Sequence, residues 1–166
     1  MQMFDNITQF LKDDLKKEIV PGSKLSIAAA CFSIYAYQEL KKELDSIESM
    51  NFLFTSPTFT TERAPKEKRE FYIPRMSRET ALCGSDFELK LRNQLTQKAI
   101  ARECAEWIRQ RVRFKSNLSP EFIQGFMNVE HGENSFSYYP INGFTTVDIG
   151  CERGNNAFNF VQKLDA

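Results

Sequence analysis

The chain has 166 residues, of which 22 are basic, 22 are acidic and one is a histidine, while 42% are apolar. This balance excludes a disordered chain, a polycationic nucleic-acid tail and any site that needs two histidines from one chain. The length fits one domain, so we expect residues 1–166 to form a single domain.

The first part of the chain predicts a helix followed by a strand-helix-strand unit. Phe4–Ile19 has helical periodicity, with Asp5 and Asn6 near its start as candidate N-cap residues. Lys24–Phe32 is a short apolar run that predicts a strand covered on both sides. Ser33–Met50 predicts a helix capped by its first residue, and Asn51–Ser56 predicts a second strand. This order is typical of a βαβ unit with two parallel strands.

The second part begins with a change of character. Residues 57–80 lack periodicity and predict a long loop or excursion. Leu82–Gln110 predicts a helix with Cys104 and Trp107 on its apolar face, and Arg111–Lys115 predicts a strand with one basic face. Three strands and a terminal helix are then predicted at Phe122–Glu130, Phe136–Ile141, Gly143–Gly150 and Asn155–Leu164. The whole pattern favours an α/β fold.

Membrane, export and metal-binding features are missing from the sequence. The longest apolar stretch, near Ile27–Phe32, has only strand length, and the N-terminus lacks the basic and apolar regions of a signal peptide. The four cysteines are scattered and never spaced as C-x-x-C, which disfavours disulfides and zinc. We therefore expect a cytoplasmic protein with no membrane partner and no metal site.

Several stretches carry a resemblance to one family. Lys24–Leu44, where a strand ends in the aromatic–Ser pair Phe32-Ser33 before a helix, resembles the opening of the phospholipase D-like fold. Leu89–Arg109, Arg113–Asn117 and Pro140–Asn156 are similar to the N-terminal region of large bacterial superfamily-two helicases. The resemblance runs from about residue 4 to the end of the chain. It implies a phospholipase D-like mixed β-sheet flanked by helices on both faces.

The resemblance also implies a place in a longer protein. In those helicases the phospholipase D-like module precedes an ATP-driven motor, so this chain would be an N-terminal fragment and the motor would lie downstream. The P-loop pattern G-x-x-x-x-G-K-[ST] occurs nowhere in the sequence. ATP and Mg²⁺ are therefore expected only for the downstream motor, with no cofactor in this fragment.

The catalytic signature of that family is not matched. It joins a His and a Lys in H-x-K, followed by an Asp, whereas this chain has His131-Gly132-Glu133. A glutamate at the Lys position would repel a phosphodiester. The expected motif strand, Gly125–Val129, holds neither residue, and Gly150–Asn155 only faintly matches the family's G-S-x-N turn. We therefore expect a catalytically degenerate module with no catalytic residue.

A cation-rich stretch from Arg92 to Lys115 contains only Glu103 and Glu106 as acids. Cations there would release counterions on binding phosphates, and arginine can fork onto phosphate oxygens. The candidate nucleic-acid-binding residues are Lys98, Arg102, Arg109, Arg111, Arg113 and Lys115. The alternative interpretation is a solvated helix face followed by a polar strand face.

Three functions stay open at this point. The first is an accessory module of a helicase that binds nucleic acid or docks a partner, with a homodimer as one form of docking. The second is a divergent phosphodiesterase or nuclease that acts as a dimer and depends on His131. The third is a pure protein-interaction module without nucleic-acid affinity.

Overall fold

The computed structural model describes residues 1–55, 97–151 and 160–165. Its strands are β1 Gln2–Phe4, β2 Lys24–Ala29, β3 Ser49–Phe54, β4 Val112–Ser116, β5 Phe126–His131, β6 Asn134–Tyr139 and β7 Val161–Asp165. Its helices are α1 Leu11–Glu18, α2 Ile34–Glu39, α3 Lys41–Leu44 and α4 Gln97–Arg111. None of these helices is long and apolar enough to cross a bilayer.

The strands form one mixed sheet of seven, in the order β1-β7-β6-β5-β2-β3-β4. β2, β3 and β4 run parallel, while β5 pairs antiparallel to β2 and the remaining pairs are antiparallel. The parallel pair β2 and β3 is joined through α2 and α3, which confirms the predicted strand-helix-strand unit. Ser33 caps α2 by accepting hydrogen bonds from the amides of Tyr35 and Ala36, as predicted.

The described helices pack against one face of the sheet, which we call the helix-covered face. Leu11 of α1, Leu44 of α3 and Trp107 of α4 belong to one core with Phe52 of β3 and Met127 of β5. An indole hydrogen bond fixes α4, because Trp107 Nε1 donates to the Leu44 carbonyl at 2.8 Å. The predicted apolar side of α4 is therefore confirmed.

The opposite face, which we call the second face, carries the alternate side chains of the same strands. Its members on the four adjacent strands β5, β2, β3 and β4 are Phe126, Asn128, Glu130, Lys24, Ser26, Ala28, Ser49, Asn51, Leu53, Arg113 and Lys115. The structure thus has a mixed α/β fold with helices on the helix-covered face. Helices on the second face stay a prediction, since residues 57–80 and the first part of the predicted Leu82–Gln110 helix lie outside the described ranges.

The predicted helix Phe4–Ile19 is wrong in its first part. Phe4 lies in β1 and pairs with Val161, while the helix begins only at Leu11. The Asp5 carboxylate accepts hydrogen bonds from the amides of residues 7, 8 and 9, at 2.9, 2.8 and 3.0 Å. This turn satisfies the backbone locally and competes with helix formation, so Ile7 is left 54% exposed.

Three further predicted elements differ from the structure. The helix after Ser33 breaks at Leu40 and ends before Met50, which is the second residue of β3. Gly143–Gly150 is a turn region in place of a strand, because the Thr145 hydroxyl and Asp148 bond each other locally. In the predicted helix Asn155–Leu164, the described residues from Val161 onward form β7, which pairs with both β1 and β6.

Candidate nucleic-acid interface

The six predicted cations do not share one surface. Lys98, Arg102 and Arg109 lie on α4, in the helix layer, whereas Arg113 and Lys115 project from β4 on the second face. Arg111 stands at the junction between helix and strand, where its guanidinium donates to the carbonyl of Ile47. The sheet therefore separates the predicted stretch into two groups on opposite sides.

Two cations of the α4 group, Arg102 and Arg109, lie among acids. Arg109 pairs with Glu106 at 3.3 Å, and Glu103 pairs with Lys41 of α3 at 3.2 Å. Arg102 lines an open depression of about 440 Å³ together with these two glutamates and Asp45. Since acids and bases alternate here, the local field on a phosphate is weak.

The β4 group has different surroundings. Arg113 and Lys115 are exposed, while the intervening Phe114 points inward, so the strand presents its two cations on one side. Within the described ranges neither cation has a carboxylate partner. Two unpaired positive charges about 7 Å apart along a strand therefore face solvent.

A depression of about 170 Å³ lies beside these cations on the second face. Small side chains at Ser26 and Ala28 on β2 leave room between Leu53 on β3 and Phe126 on β5. The side chains that line it are Ser26, Ala28, Asn51, Leu53, Arg113, Lys115 and Phe126, with the backbone near Ile27 and Phe52. No acidic residue of the described chain lines this depression.

Polar groups complete this part of the second face. Asn51 is exposed and stands between Ser26 and Arg113 in the strand register. Its amide has no hydrogen-bond partner within the described residues, so it offers a donor and an acceptor to a ligand. Asn128, on the other side of Ser26, is already engaged, because its Oδ1 accepts from the Ser137 hydroxyl at 2.9 Å.

The only histidine of the sequence, His131, does not line the depression. His131 is exposed at the end of β5, where it pairs with Asn134 across the two-residue turn Gly132-Glu133. Gly132 takes a φ of +60°, which the tight hairpin requires and glycine permits. The prediction that His131 lies in the turn is wrong by one residue, because His131 ends β5 and the turn consists of Gly132 and Glu133. The expected motif strand, Gly125–Val129, forms most of β5 and carries no ionisable side chain.

A buried ion cluster occupies the helix-covered face instead. Lys163 of β7 is 8% exposed, and its Nζ lies 2.9 Å from Asp14 Oδ2 and 2.6 Å from Glu18 Oε1. The Tyr138 hydroxyl donates to Asp14 Oδ2 at 2.7 Å. Burial favours neutral Lys163, but the hydrogen bonds that its ammonium donates to Glu18 and Asp14 outweigh burial and raise its pKa. With all its groups paired, this cluster fastens α1 to β6 and β7.

Thiol and metal chemistry find little support among the described residues. Cys31 and Cys151 are half-buried and Cys104 is buried, and burial raises the pKa of Cys104 to about 12. Cys83 lies outside the described ranges. In the part of the chain that the structure describes, no three His, Cys, Asp or Glu side chains group as metal ligands.

Sequence reasoning missed the aromatic and amide members of the second face. Phe126 and Asn51 appear in the sequence as ordinary strand residues, and only the pairing of β5, β2, β3 and β4 brings them into the lining of one depression with Arg113. The small residues in Ser26–Ala29 were the one sequence signal of a depression, because small side chains on one strand leave space between larger side chains on the neighbouring strands. No family model, curated protein or solved structure matches this chain.

Proposed function

We propose that the chain is a nucleic-acid-binding module and that it binds through the second face of its sheet. The observation that carries this proposal is the pair Arg113 and Lys115, which is exposed and has no acidic partner among the described residues. Phosphates are the commonest ligands of such cations on nucleic-acid-binding proteins, because each contact releases a condensed counterion.

The proposal places binding on β4 and not on α4. Arg102 and Arg109 of α4 lie among Glu103, Glu106 and Asp45, and these carboxylates would repel a phosphate backbone. A neutral whole chain is compatible with this assignment, because the field that a ligand meets is set by the charges within about one Debye length.

The sequence resemblance extends the proposal to a biological context. It favours a phospholipase D-like, catalytically degenerate module that works in the cytoplasm beside a helicase motor, and ATP and Mg²⁺ would belong to that motor. Nucleic acid and the motor would then be its partners, and self-association would be a further property to measure. His131 is exposed at the end of β5 and belongs to no cluster of metal-ligating groups among the described residues, so it gives the rival phosphodiesterase no support.

A salt titration tests the proposed surface. Binding of a short fluorescent oligonucleotide is followed by anisotropy for the wild-type chain and for the double variant Arg113→Gln, Lys115→Gln. We expect the double variant to bind more weakly and to lose about one unit of log–log salt slope for each cation removed.

The matched control is the double variant Arg102→Gln, Arg109→Gln, which removes the same two positive charges from α4 and should leave the affinity and slope near wild-type values. An equal loss in this control would move the interface to the helix layer. If the wild-type chain binds no oligonucleotide at low salt, the module is better described as a protein-interaction domain. Cleavage of the probe that disappears in His131→Ala would favour the phosphodiesterase instead.

A further inference from the structure

The depression on the second face combines an aromatic ring with cations in one short row. In the strand register, Phe126 pairs with Ala28, Ala28 with Leu53, and Leu53 with Lys115. Neighbouring strands lie about 4.8 Å apart, so the ends of this row are about 14 Å apart at the backbone. Both end residues line the same depression, with Ala28 on the strand between Phe126 and Leu53.

A second row runs parallel to the first and supplies polar groups. Ser26 pairs with Asn51, and Asn51 pairs with Arg113. Asn51 therefore lies next to Arg113 in the lining of the depression, and its amide, which has no hydrogen-bond partner among the described residues, can meet the edge of a ring. One small concave surface thus presents a ring, an amide and two positive charges, and it has no carboxylate among its lining residues.

These groups fit an unpaired nucleotide better than a duplex. In a duplex the faces of the bases are buried in the stack, so a protein meets only phosphates and groove edges. A ring on a sheet surface can stack only on a base that has left the stack, and aromatic rings on sheets bind single strands in this way.

We propose, on the basis of the nucleic-acid function proposed above, that the second face selects single-stranded nucleic acid. One unpaired base would lie in the depression against Phe126, with its edge near Asn51. The adjoining phosphates would meet Arg113 and Lys115. Phe126 would supply the preference for single strands, while the two cations would supply affinity for any nucleic-acid backbone.

The preference for single strands can be tested with the wild-type chain, before any residue is substituted. Anisotropy is measured with three probes: a single-stranded oligothymidine, a hairpin duplex with the same number of phosphates, and an abasic strand of the same length. We expect the oligothymidine to bind at least about 5-fold more tightly than either of the others, since stacking on an aromatic ring contributes at least that factor per base.

Variants then assign the preference to the depression. Phe126→Leu keeps an apolar side chain but removes the ring, and should lower affinity for the oligothymidine about 5-fold or more while leaving duplex binding unchanged. Phe126→Tyr keeps the ring and should retain the preference. The control is Phe122→Leu, since Phe122 is 84% exposed and lies outside the depression.

The outcomes separate this inference from the proposed function. Equal affinity for all three probes, or an unchanged preference in Phe126→Leu, would overturn single-strand selection even if Arg113→Gln, Lys115→Gln still weakened binding. No binding to any probe would overturn both proposals. A preference lost in Phe126→Leu and kept in Phe126→Tyr and Phe122→Leu would support the assignment.

Discussion

Two lysines on the same sheet show how differently its two faces use charge. Lys163, on the helix-covered face, is buried and bonded to Asp14 and Glu18. Lys115, on the second face, is exposed and has no acidic partner within the described ranges. A charge that is fully paired inside the protein holds elements together, whereas an unpaired charge beside a depression is available to a ligand.

The largest expected difference between the two faces is the loss in the free energy of unfolding when an apolar side chain is truncated. Phe52 and Leu53 are neighbours on β3 that point to opposite faces, and Phe52 is 1% exposed in the aromatic core. Phe52→Ala should lower the free energy of unfolding by about 3–5 kcal/mol, because it leaves a cavity among packed rings. Urea denaturation followed by circular dichroism measures this loss.

Leu53→Ala is the matched control for that experiment. Leu53 is only half-buried and lines the depression, so its truncation should cost about 1 kcal/mol or less, since it opens no closed cavity. Equal losses for the two variants would mean that the second face is packed as tightly as the helix-covered face in solution.

The next largest effect concerns the two lysines. Lys163→Met removes the cation between two carboxylates and should destabilise the protein by about 3 kcal/mol, because it leaves buried charge uncompensated. Lys115→Met should change the free energy of unfolding by less than about 0.5 kcal/mol. Both values come from urea midpoints at neutral pH.

A double-mutant cycle separates lost charge pairing from lost packing. Adding Asp14→Asn to Lys163→Met removes one of the stranded carboxylates, so the double variant should be more stable than the sum of the single losses predicts. Strict additivity would show that the cluster contributes through the packed stem of Lys163 and not through its charge.

Alkaline pH should destabilise the protein through the helix-covered face. Burial raises the pKa of the Cys104 thiol to about 12, and burial with the Asp14 hydrogen bond raises that of Tyr138. The folded protein therefore keeps protons that the unfolded chain releases, so its stability is intact below about pH 8.5 and falls as pH rises further. The Cys104 contribution to this fall is about 1 kcal/mol between pH 9 and 10.

Cys104→Ala tests this assignment. The variant should show a flatter stability curve between pH 9 and 10, even if the lost sulfur lowers its stability at every pH. An unchanged slope would place the alkaline sensitivity in other groups. Thermal unfolding at a series of pH values gives the curve.

The smallest expected effect on stability comes from the proposed binding residues. Arg113→Gln together with Lys115→Gln should leave the urea midpoint unchanged within about 0.5 kcal/mol, because both side chains are exposed and unpaired among the described residues. A large loss of stability would show that these cations hold the fold together, and their loss of nucleic-acid affinity would then need a structural explanation.

Local pattern determined much of this protein in advance. The N-cap at Ser33, the apolar side of α4 around Trp107, the turn after His131 and the basic side of β4 all follow from residues close together in the chain. Such features were predictable because capping and side-chain periodicity depend on neighbours only a few positions away.

Tertiary structure decided the features that join distant residues. Phe4 pairs with Val161 in the sheet, and Lys163 is buried in an ion pair with Asp14. Parts of the predicted helices at both ends of the chain are therefore strands. The depression exists only because β5, β2, β3 and β4 align in one register, which places Phe126 and Lys115 in the lining of the same depression. Strand pairing across the chain depends on the burial of whole faces, and no local window of sequence contains that information.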